Sequence, residues 1–283
     1  MMIASAARQR DFRPGLLAPG VAAILFSIVM SGVPVSKLAS RIGLLRSLVV
    51  YYGQPWKLWR MRRIGARWIG RGSLAFDVGA HVGNRVAVWR SLGARVVAFE
   101  PQPAFNRFLM GRYGRDPHVT LEARALGEQE GEAMLHISER SPTLSTLADD
   151  WICEVRADRR FDSVAWNRTE RVPVTTLDRA IEQYGLPAFC KIDVEGHETS
   201  VLKGLSQPLP ALSFEFLPVS IARAMECVAV LERLGSYRYN WSLGEAQRFG
   251  SAQWVSADQI CRWLKALPPM SASGDVYAEL VKA

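Results

Sequence analysis

The stretch Leu74-Ala-Phe-Asp-Val-Gly-Ala-His-Val-Gly-Asn84 constrains this chain more than any other. An apolar run with strand character enters a turn carrying two glycines and then meets a helical pattern. Glycine in such a turn lets the backbone approach a ligand closely and take angles that a side chain forbids. Two nucleotide loops are excluded by spacing. A nicotinamide fingerprint needs glycine at the first, third and sixth places of the turn, and from Gly79 those places hold Gly79, His81 and Asn84. A phosphate-cradling Walker loop needs a Gly-Lys-Ser/Thr, which does not follow. What remains is Asp-x-Gly-Ala-x-x-Gly, with Glu100 closing the next apolar run 23 residues after Asp77. A carboxylate at that strand end accepts both hydroxyls of a ribose, and a buried Asp77 can hold an ammonium through the turn or a water. A ribose and an amino acid without a pyrophosphate point to S-adenosylmethionine. Another nucleotide and a purely structural turn are the alternatives.

From Leu74 onward short apolar runs alternate with longer helical patterns, the signature of a parallel sheet covered by helices. Strands are expected at 74–79, 95–100, 119–125, 188–194 and 211–217, and helices most clearly at 83–92, 103–113, 198–205 and 220–234. A late strand at 275–281 is expected to close the sheet beside 237–242. Between 126 and 178 the alternation breaks: Gly131 to Ile137 reads as a strand, Ser141 to Ser145 as a loop and Arg171 to Thr176 as another strand. An insertion of this kind is expected to build the substrate side of a site.

Three blocks resemble the FkbM family of S-adenosylmethionine-dependent methyltransferases. They are Phe76-Asp-Val-Gly-Ala-His-Val-Gly-Asn84, Val97-Ala-Phe-Glu-Pro101, and Thr176-Leu-Asp178 followed by Lys191-Ile-Asp-Val-Glu-Gly-His-Glu198 and Val201-Leu-Lys-Gly204. The resemblance runs from about residue 51 to 282, so residues 1–50 form a separate N-terminal segment and 51–283 the methyltransferase domain. It implies an α/β, Rossmann-like class I methyltransferase fold: a mostly parallel seven-stranded sheet, one antiparallel strand near its end, helices on both faces. It also implies O-methylation of a hydroxyl on a sugar, glycolipid or related metabolite. By position, Asp77, Gly79, Ala80, Gly83 and Glu100 line the cofactor, and Asp193 and its neighbours face the methyl group. His81 inside the turn covers the ligand or caps the helix, and Asn84 belongs to the same cofactor side.

Methyl transfer from a sulfonium is an in-line displacement, so most of the catalysis is positioning. An alcohol is a poor nucleophile until its proton leaves, and a base adds about 10²–10⁴-fold. Lys191, Asp193 and Glu195 alternate along an expected strand and so share one direction, at the carboxyl end where ligands bind in such sheets. Asp193 is expected to orient the acceptor or the sulfonium end, and His197 or Glu195 to take the proton. Glu215, closing the next strand, is a further candidate. The plainer readings are an Asp193–Lys191 structural ion pair, a half-exposed His197 at a helix start, and Glu198 as a first-turn acid favoured by the helix dipole. Asp193, Glu195 and Glu215 together offer a divalent-cation site as an alternative; the main reading uses no metal.

Charge is the last constraint. The 283 residues carry a net +8, but residues 1–71 hold twelve basic side chains against Asp11, and the remainder is −3. A body of that sign, with no Asn/Asp-Pro-Pro-Tyr/Phe motif, disfavours a nucleic-acid substrate. Residues 14–36 are uncharged but interrupted by Pro and Gly. Without an Ala-x-Ala cleavage site behind it, this stretch reads as a single anchor or as a helix lying on the body or on a membrane surface. Tyr51, Tyr52, Trp56, Trp59 and Trp68 interleave with basic residues from Arg46 to Arg71, which favours attachment to a headgroup layer. Four widely spaced cysteines give no zinc or disulfide framework and fit a reducing cytoplasm. The expectation is a cytoplasmic enzyme, at the inner membrane surface through its first 71 residues. Its rival is a membrane-associated binding protein that keeps the fold without turnover.

Overall fold

The computed structural model describes residues 55–281. The apolar stretch 14–36, Tyr51 and Tyr52 lie outside the described residues. In chain order the elements are α1 (Pro55–Gly65), β1 (Leu74–Val78), α2 (Asn84–Ser91), β2 (Arg95–Phe99), α3 (Pro103–Tyr113), β3 (Val119–Glu122), β4 (Ala125–Leu126) and β5 (Gly131–Ile137). There follow α4 (Asp149–Val155), β6 (Arg168–Thr175), α5 (Leu177–Tyr184), β7 (Phe189–Ile192), α6 (Glu198–Lys203), β8 (Ala211–Phe216), α7 (Ile221–Leu234), β9 (Tyr237–Leu243), α8 (Ala257–Lys265) and β10 (Gly274–Leu280).

Seven strands form one sheet in the order β3-β2-β1-β7-β8-β10-β9, and β10 runs antiparallel to both its neighbours. This is the α/β class I methyltransferase architecture. Alternation along the strands builds its two cores. Phe76 and Val78 of β1, Cys190 and Ile192 of β7, and Leu212 and Phe214 of β8 pack on the side of α5 to α8. Ala75, Phe189, Ala211 and Tyr277 pack on the side of α1, α2 and α3. The same alternation puts Asp77, Lys191, Ser213 and Asp275, all buried, on the second side. A polar row therefore runs under α1 and α2, and it forms the floor on which the site is built.

Two expected strands end differently. The run 119–125 divides: β3 pairs with β2, whereas β4 leaves for a second, three-stranded sheet ordered β4-β6-β5. The run 188–194 stops at Ile192. Asp193 continues the ladder by one hydrogen bond, from its N–H to the Val78 carbonyl (2.9 Å), and the chain then turns, with Glu195 at φ 52. Alternation along a strand thus reaches Asp193 but not Glu195. The Thr176-Leu-Asp178 block is a helix start: Thr176 caps α5 by accepting from the Arg179 N–H, and Asp178 accepts from the Ser206 N–H. Among the described residues no helix is long and apolar enough to cross a membrane, and all four cysteines are free thiols.

Candidate active site

The first half of the site is the turn after β1. Gly79 has φ +84, and a Cβ there would collide with the carbonyl oxygen of Asp193, so the turns following β1 and β7 touch backbone to backbone. The N–H groups of Gly79 and Ala80 both donate to the Phe99 carbonyl at 3.0 Å, which fastens the turn to the end of β2. One residue on, the His81 N–H donates to Glu100 Oε2 (2.7 Å) while the Gln102 N–H donates to Oε1 (2.9 Å). The Glu100 carboxylate is thereby aimed by two backbone groups. Burial nevertheless pushes it up to about 7, against the lowering effect of those bonds. Asp77 is fully buried, neither of its carboxylate oxygens has a hydrogen-bond partner, and burial raises it likewise to about 7. Burial drives His81 down to about 3, so its ring, edge-on to Phe105 at 4.0 Å, is neutral.

The second half lies at the end of β7. Lys191 is buried, and an ammonium there costs several kcal/mol unless paired. It meets Asp275 at 2.5 Å and Asp193 at 3.5 Å, while Arg85, in the first turn of α2, meets Asp193 at 2.9 Å. Burial opposes ionisation of Asp193, but Lys191 and then Arg85 outweigh it and hold this carboxyl well below the usual range. Its neighbours go the other way. Burial, with Asp193 adding repulsion, pushes both Glu195 and Glu215 well above the ordinary carboxyl range. Carboxylate oxygens of Asp193, Glu195 and Glu215 lie within 4.8 Å of one another, a spacing that a divalent cation accommodates. Arg85 and Lys191 already give Asp193 its counter-charge, and the upward shift of the other two favours their neutral forms.

The turn itself is held from outside. Glu198 Oε1 accepts from the N–H groups of Val194 (3.0 Å) and Gly196 (3.3 Å), so this acid ties the 193–197 turn together in addition to sitting in the first turn of α6. Thr146 Oγ1 donates to the Glu195 carbonyl (2.6 Å), and Arg223 donates to the Gly196 carbonyl (3.0 Å) while pairing with Asp150 and Glu154 of α4. A Cβ on Gly196 would enter the ring of fully buried Trp151. His197 is the residue before α6; burial pushes its imidazole down to about 4.

One cleft, open to solvent, joins the two halves. Gly79, His81, Asn84 and Glu100 line one end, and Arg85, Asp193, Glu195 and His197 the other. Ala125, Leu126 and Leu135 of the second sheet, with Ser145 and Thr146 from the segment between β5 and β6, close one side, so the 126–178 insertion lines the cleft. Three expected contact residues stand behind this wall. Asp77 and Ala80 are buried beneath the turn. Gly83 receives a hydrogen bond from Tyr113 on its carbonyl, and a Cβ there would strike Leu109 and Tyr113, so its φ of +71 serves helix packing. Glu215 opens onto a smaller neighbouring cavity with Trp151 and Glu198. Sequence reasoning missed Arg85, Thr146, Trp151 and Asp275. Only Asp275 had a signal, a polar residue alternating with apolar ones in 275–281.

Residues 77–267 match the methyltransferase FkbM domain family. No curated protein matches the chain. Among solved structures, precorrin-6y C5,15-methyltransferase from Geobacter metallireducens GS-15 aligns at 10% identity and TM-score 0.42, covering 80% of this chain and 87% of its own. A SAM-dependent O-methyltransferase from Thermotoga maritima aligns at 13% identity and TM-score 0.38, covering 79% and 65%. A TehB-like SAM-dependent methyltransferase from Corynebacterium glutamicum aligns at 10% identity and TM-score 0.40, covering 78% and 88%.

Proposed function

This chain belongs to the FkbM methyltransferase family and uses S-adenosylmethionine, and from that premise we propose that it is an O-methyltransferase for a hydroxyl of a glycan, glycolipid or related metabolite. The observation that carries the reading is a single cleft with an aimed carboxylate at one end and a differentiated acid–base group at the other. The residues present fit the cofactor. Glu100 keeps a lone pair on each oxygen after accepting from His81 and Gln102, enough for two ribose hydroxyls. Asp77, beneath the turn and outside the cleft lining, brings two buried oxygens that lack partners, a deficit that an ammonium relieves through the turn or a water.

When bound, the cofactor supplies a methyl group made electrophilic by its sulfonium. The protein's own residues then have to hold a hydroxyl in line with that group and remove its proton. Asp193, kept ionised by Lys191 and Arg85, accepts a hydrogen bond from the acceptor hydroxyl and orients it. Burial and the charge of Asp193 raise the Glu195 carboxyl well above its ordinary range, which favours its protonated form and a donor role toward a neighbouring acceptor oxygen. His197 lines the same cleft with an uncharged imidazole whose ring nitrogen can receive the departing proton, as a weaker base than a free imidazole because burial lowers it to about 4. Hydroxyl and amide side chains along the wall, Gln102, Thr143, Ser145 and Thr146, suit a hydroxyl-rich acceptor.

The test is incubation of methyl-labelled cofactor with lipid-linked glycans, polysaccharides and small polyols, followed by assignment of the labelled bond. A methyl ether on a sugar carbon is expected. Label on nitrogen, sulfur or carbon removes O-methylation, and tight cofactor binding without transfer to any hydroxyl acceptor returns the rival reading of a binding protein.

A further inference from the structure

We propose that α1 docks the enzyme on the surface of an anionic lipid bilayer, with Trp56 and Trp59 entering the headgroup layer and Arg60 and Arg63 meeting its phosphates. The helix advances about 100° per residue. Leu58, Met61 and Gly65 therefore form one stripe, and all three are buried against the body. The opposite stripe holds Trp56, Trp59, Arg60 and Arg63, all exposed, and the two indoles are 58% and 54% accessible. Two tryptophans on the outer face of an otherwise well-packed helix are unexplained by the fold. Arg63 lies over the Trp59 ring, its guanidinium carbon 5.9 Å from the ring centre. Indole beside guanidinium is the pairing that suits the boundary between lipid carbonyls and phosphates.

Charge selects the occupant. Residues 55–71 contain Lys57, Arg60, Arg62, Arg63, Arg67 and Arg71 and no acid, and among the described residues only Arg67 of these has a carboxylate partner, Glu279. Residues 1–54 add six basic side chains against one acid, around an uncharged stretch at 14–36. Both features match an anionic leaflet, whose attraction for juxtaposed Lys and Arg accumulates along the segment. A nucleic acid answers the charge but leaves the paired indoles and the neighbouring apolar sequence without a purpose.

The placement of α1 gives the docking a consequence. Beyond its C-terminal end, Trp68 stacks on Phe189, the first residue of β7, at 4.7 Å. Gly65 lies against Trp89 and Leu92 at the end of α2, and further up the helix Met61 lines a small cavity that reaches from Phe189 to Arg85, in the first turn of α2, and Asp275. The helix thus runs opposite to β7, and its start lies toward the rim that carries Asp193. Docking through Trp56 and Trp59 would bring this rim, rather than the opposite edge of the sheet, toward the bilayer and so toward a lipid-linked acceptor. The docking stands without the proposed reaction; its use for such an acceptor rests on that reading.

The experiment is co-sedimentation of the full chain with vesicles of phosphatidylcholine alone and of phosphatidylcholine with 30% (about) phosphatidylglycerol, without cofactor or acceptor. Binding to the anionic vesicles is expected, weakening as salt rises, with little to the neutral ones. In the full chain, W56A/W59A and R60E/R63E are each expected to weaken it on the order of tenfold. Cofactor affinity, unchanged in both variants, certifies their fold, since all four side chains are exposed. Three results overturn the proposal: no binding to anionic vesicles, equal binding by wild type and both variants, or a duplex or single-stranded nucleic acid bound through these residues in place of vesicles. Because no methyl transfer is measured, these failures are distinct from failure of the O-methyltransferase reading.

Discussion

The two ends of the cleft are built from the same material and behave in opposite ways. At the β1–β2 end Asp77 and Glu100 are buried carboxyls with no cation in hydrogen-bond contact, and burial lifts both to about 7. At the β7 end Asp193 is pulled down by Lys191 and Arg85, while Glu195 and Glu215 beside it are pushed up. Position in the fold does not separate them, because Asp77 and Lys191 are direct cross-strand partners. What separates them is where the ammonium goes: Lys191 Nζ reaches Asp275 and Asp193 and forms no ion pair with Asp77. Arg85 and Lys191 pull on Asp77 as well, but neither bonds it and burial outweighs them, whereas both pair directly with Asp193. A cationic cofactor belongs at the first, and an acceptor that needs a fixed hydrogen-bond acceptor belongs at the second.

The largest expected effect breaks the second end alone. Asp193→Asn keeps the shape and removes the fixed charge, so kcat is expected to fall about 10³-fold while the cofactor Kd moves less than about threefold. If Kd rises as far as kcat falls, the two ends are one electrostatic unit and the comparison fails. Next in size is His197→Gln, with a loss of about 10²-fold in kcat and little change in KM. A variant with wild-type kcat would show that the proton leaves by another route and leave His197 as the residue that opens α6.

The unequal legibility of the two ends has a physical basis. The cofactor turn is local: Asp77, Gly79, His81, Asn84 and Glu100 are fixed by one strand, one turn and the next strand end, so their spacing in sequence is their spacing in space. The acid block after β7 was visible as residues but not as chemistry. Whether Asp193 is charged depends on Arg85, 108 positions away, and on Lys191, itself shared with Asp275. Alternation suggested that Asp193 and Glu195 point together because they sit on a strand. They converge instead because the chain turns at Glu195 and is pinned there by Glu198, Thr146 and Arg223. Those pinning contacts are tertiary and carry no sequence period. Gly83 misleads in the other direction, since its left-handed φ belongs to a motif but the crowding by Leu109 and Tyr113 is what demands a glycine.

A smaller effect sharpens the first end. Glu100→Gln is nearly isosteric, but its amide nitrogen must face one of the two backbone donors, His81 N–H or Gln102 N–H, that now hold the carboxylate. A weakened turn and a lost charged acceptor are expected to raise the cofactor Kd about tenfold by calorimetry, with kcat at saturation little changed. The reverse pattern, kcat lost and Kd kept, would move Glu100 from binding to positioning of the reacting group.

The smallest effect follows from the protons themselves. Asp77 and Glu100 start from ordinary values of 3.8 and 4.5 and stand near 7 when folded, so the folded state keeps protons that the unfolded chain has already released. Stability from these two groups is complete below about pH 4 and is lost as pH rises through about 7. His197 opposes this at the acid side: its value falls from 6.5 to about 4, so its contribution is present above about 6.5 and lost as pH falls toward 4. Between pH 6.5 and 8 the carboxyl pair titrates together with Glu198, which burial also lifts to about 7, and Tm of the cofactor-free enzyme is expected to drop by a few degrees, about 2–4 °C. A bound ammonium and ribose favour the ionised carboxylates, so saturating S-adenosylmethionine is expected to flatten that drop and its Kd to decrease over the same interval. A drop of equal size with and without cofactor would place the titrating groups outside the cofactor end, and the contrast between the two ends of the cleft would then rest on geometry alone.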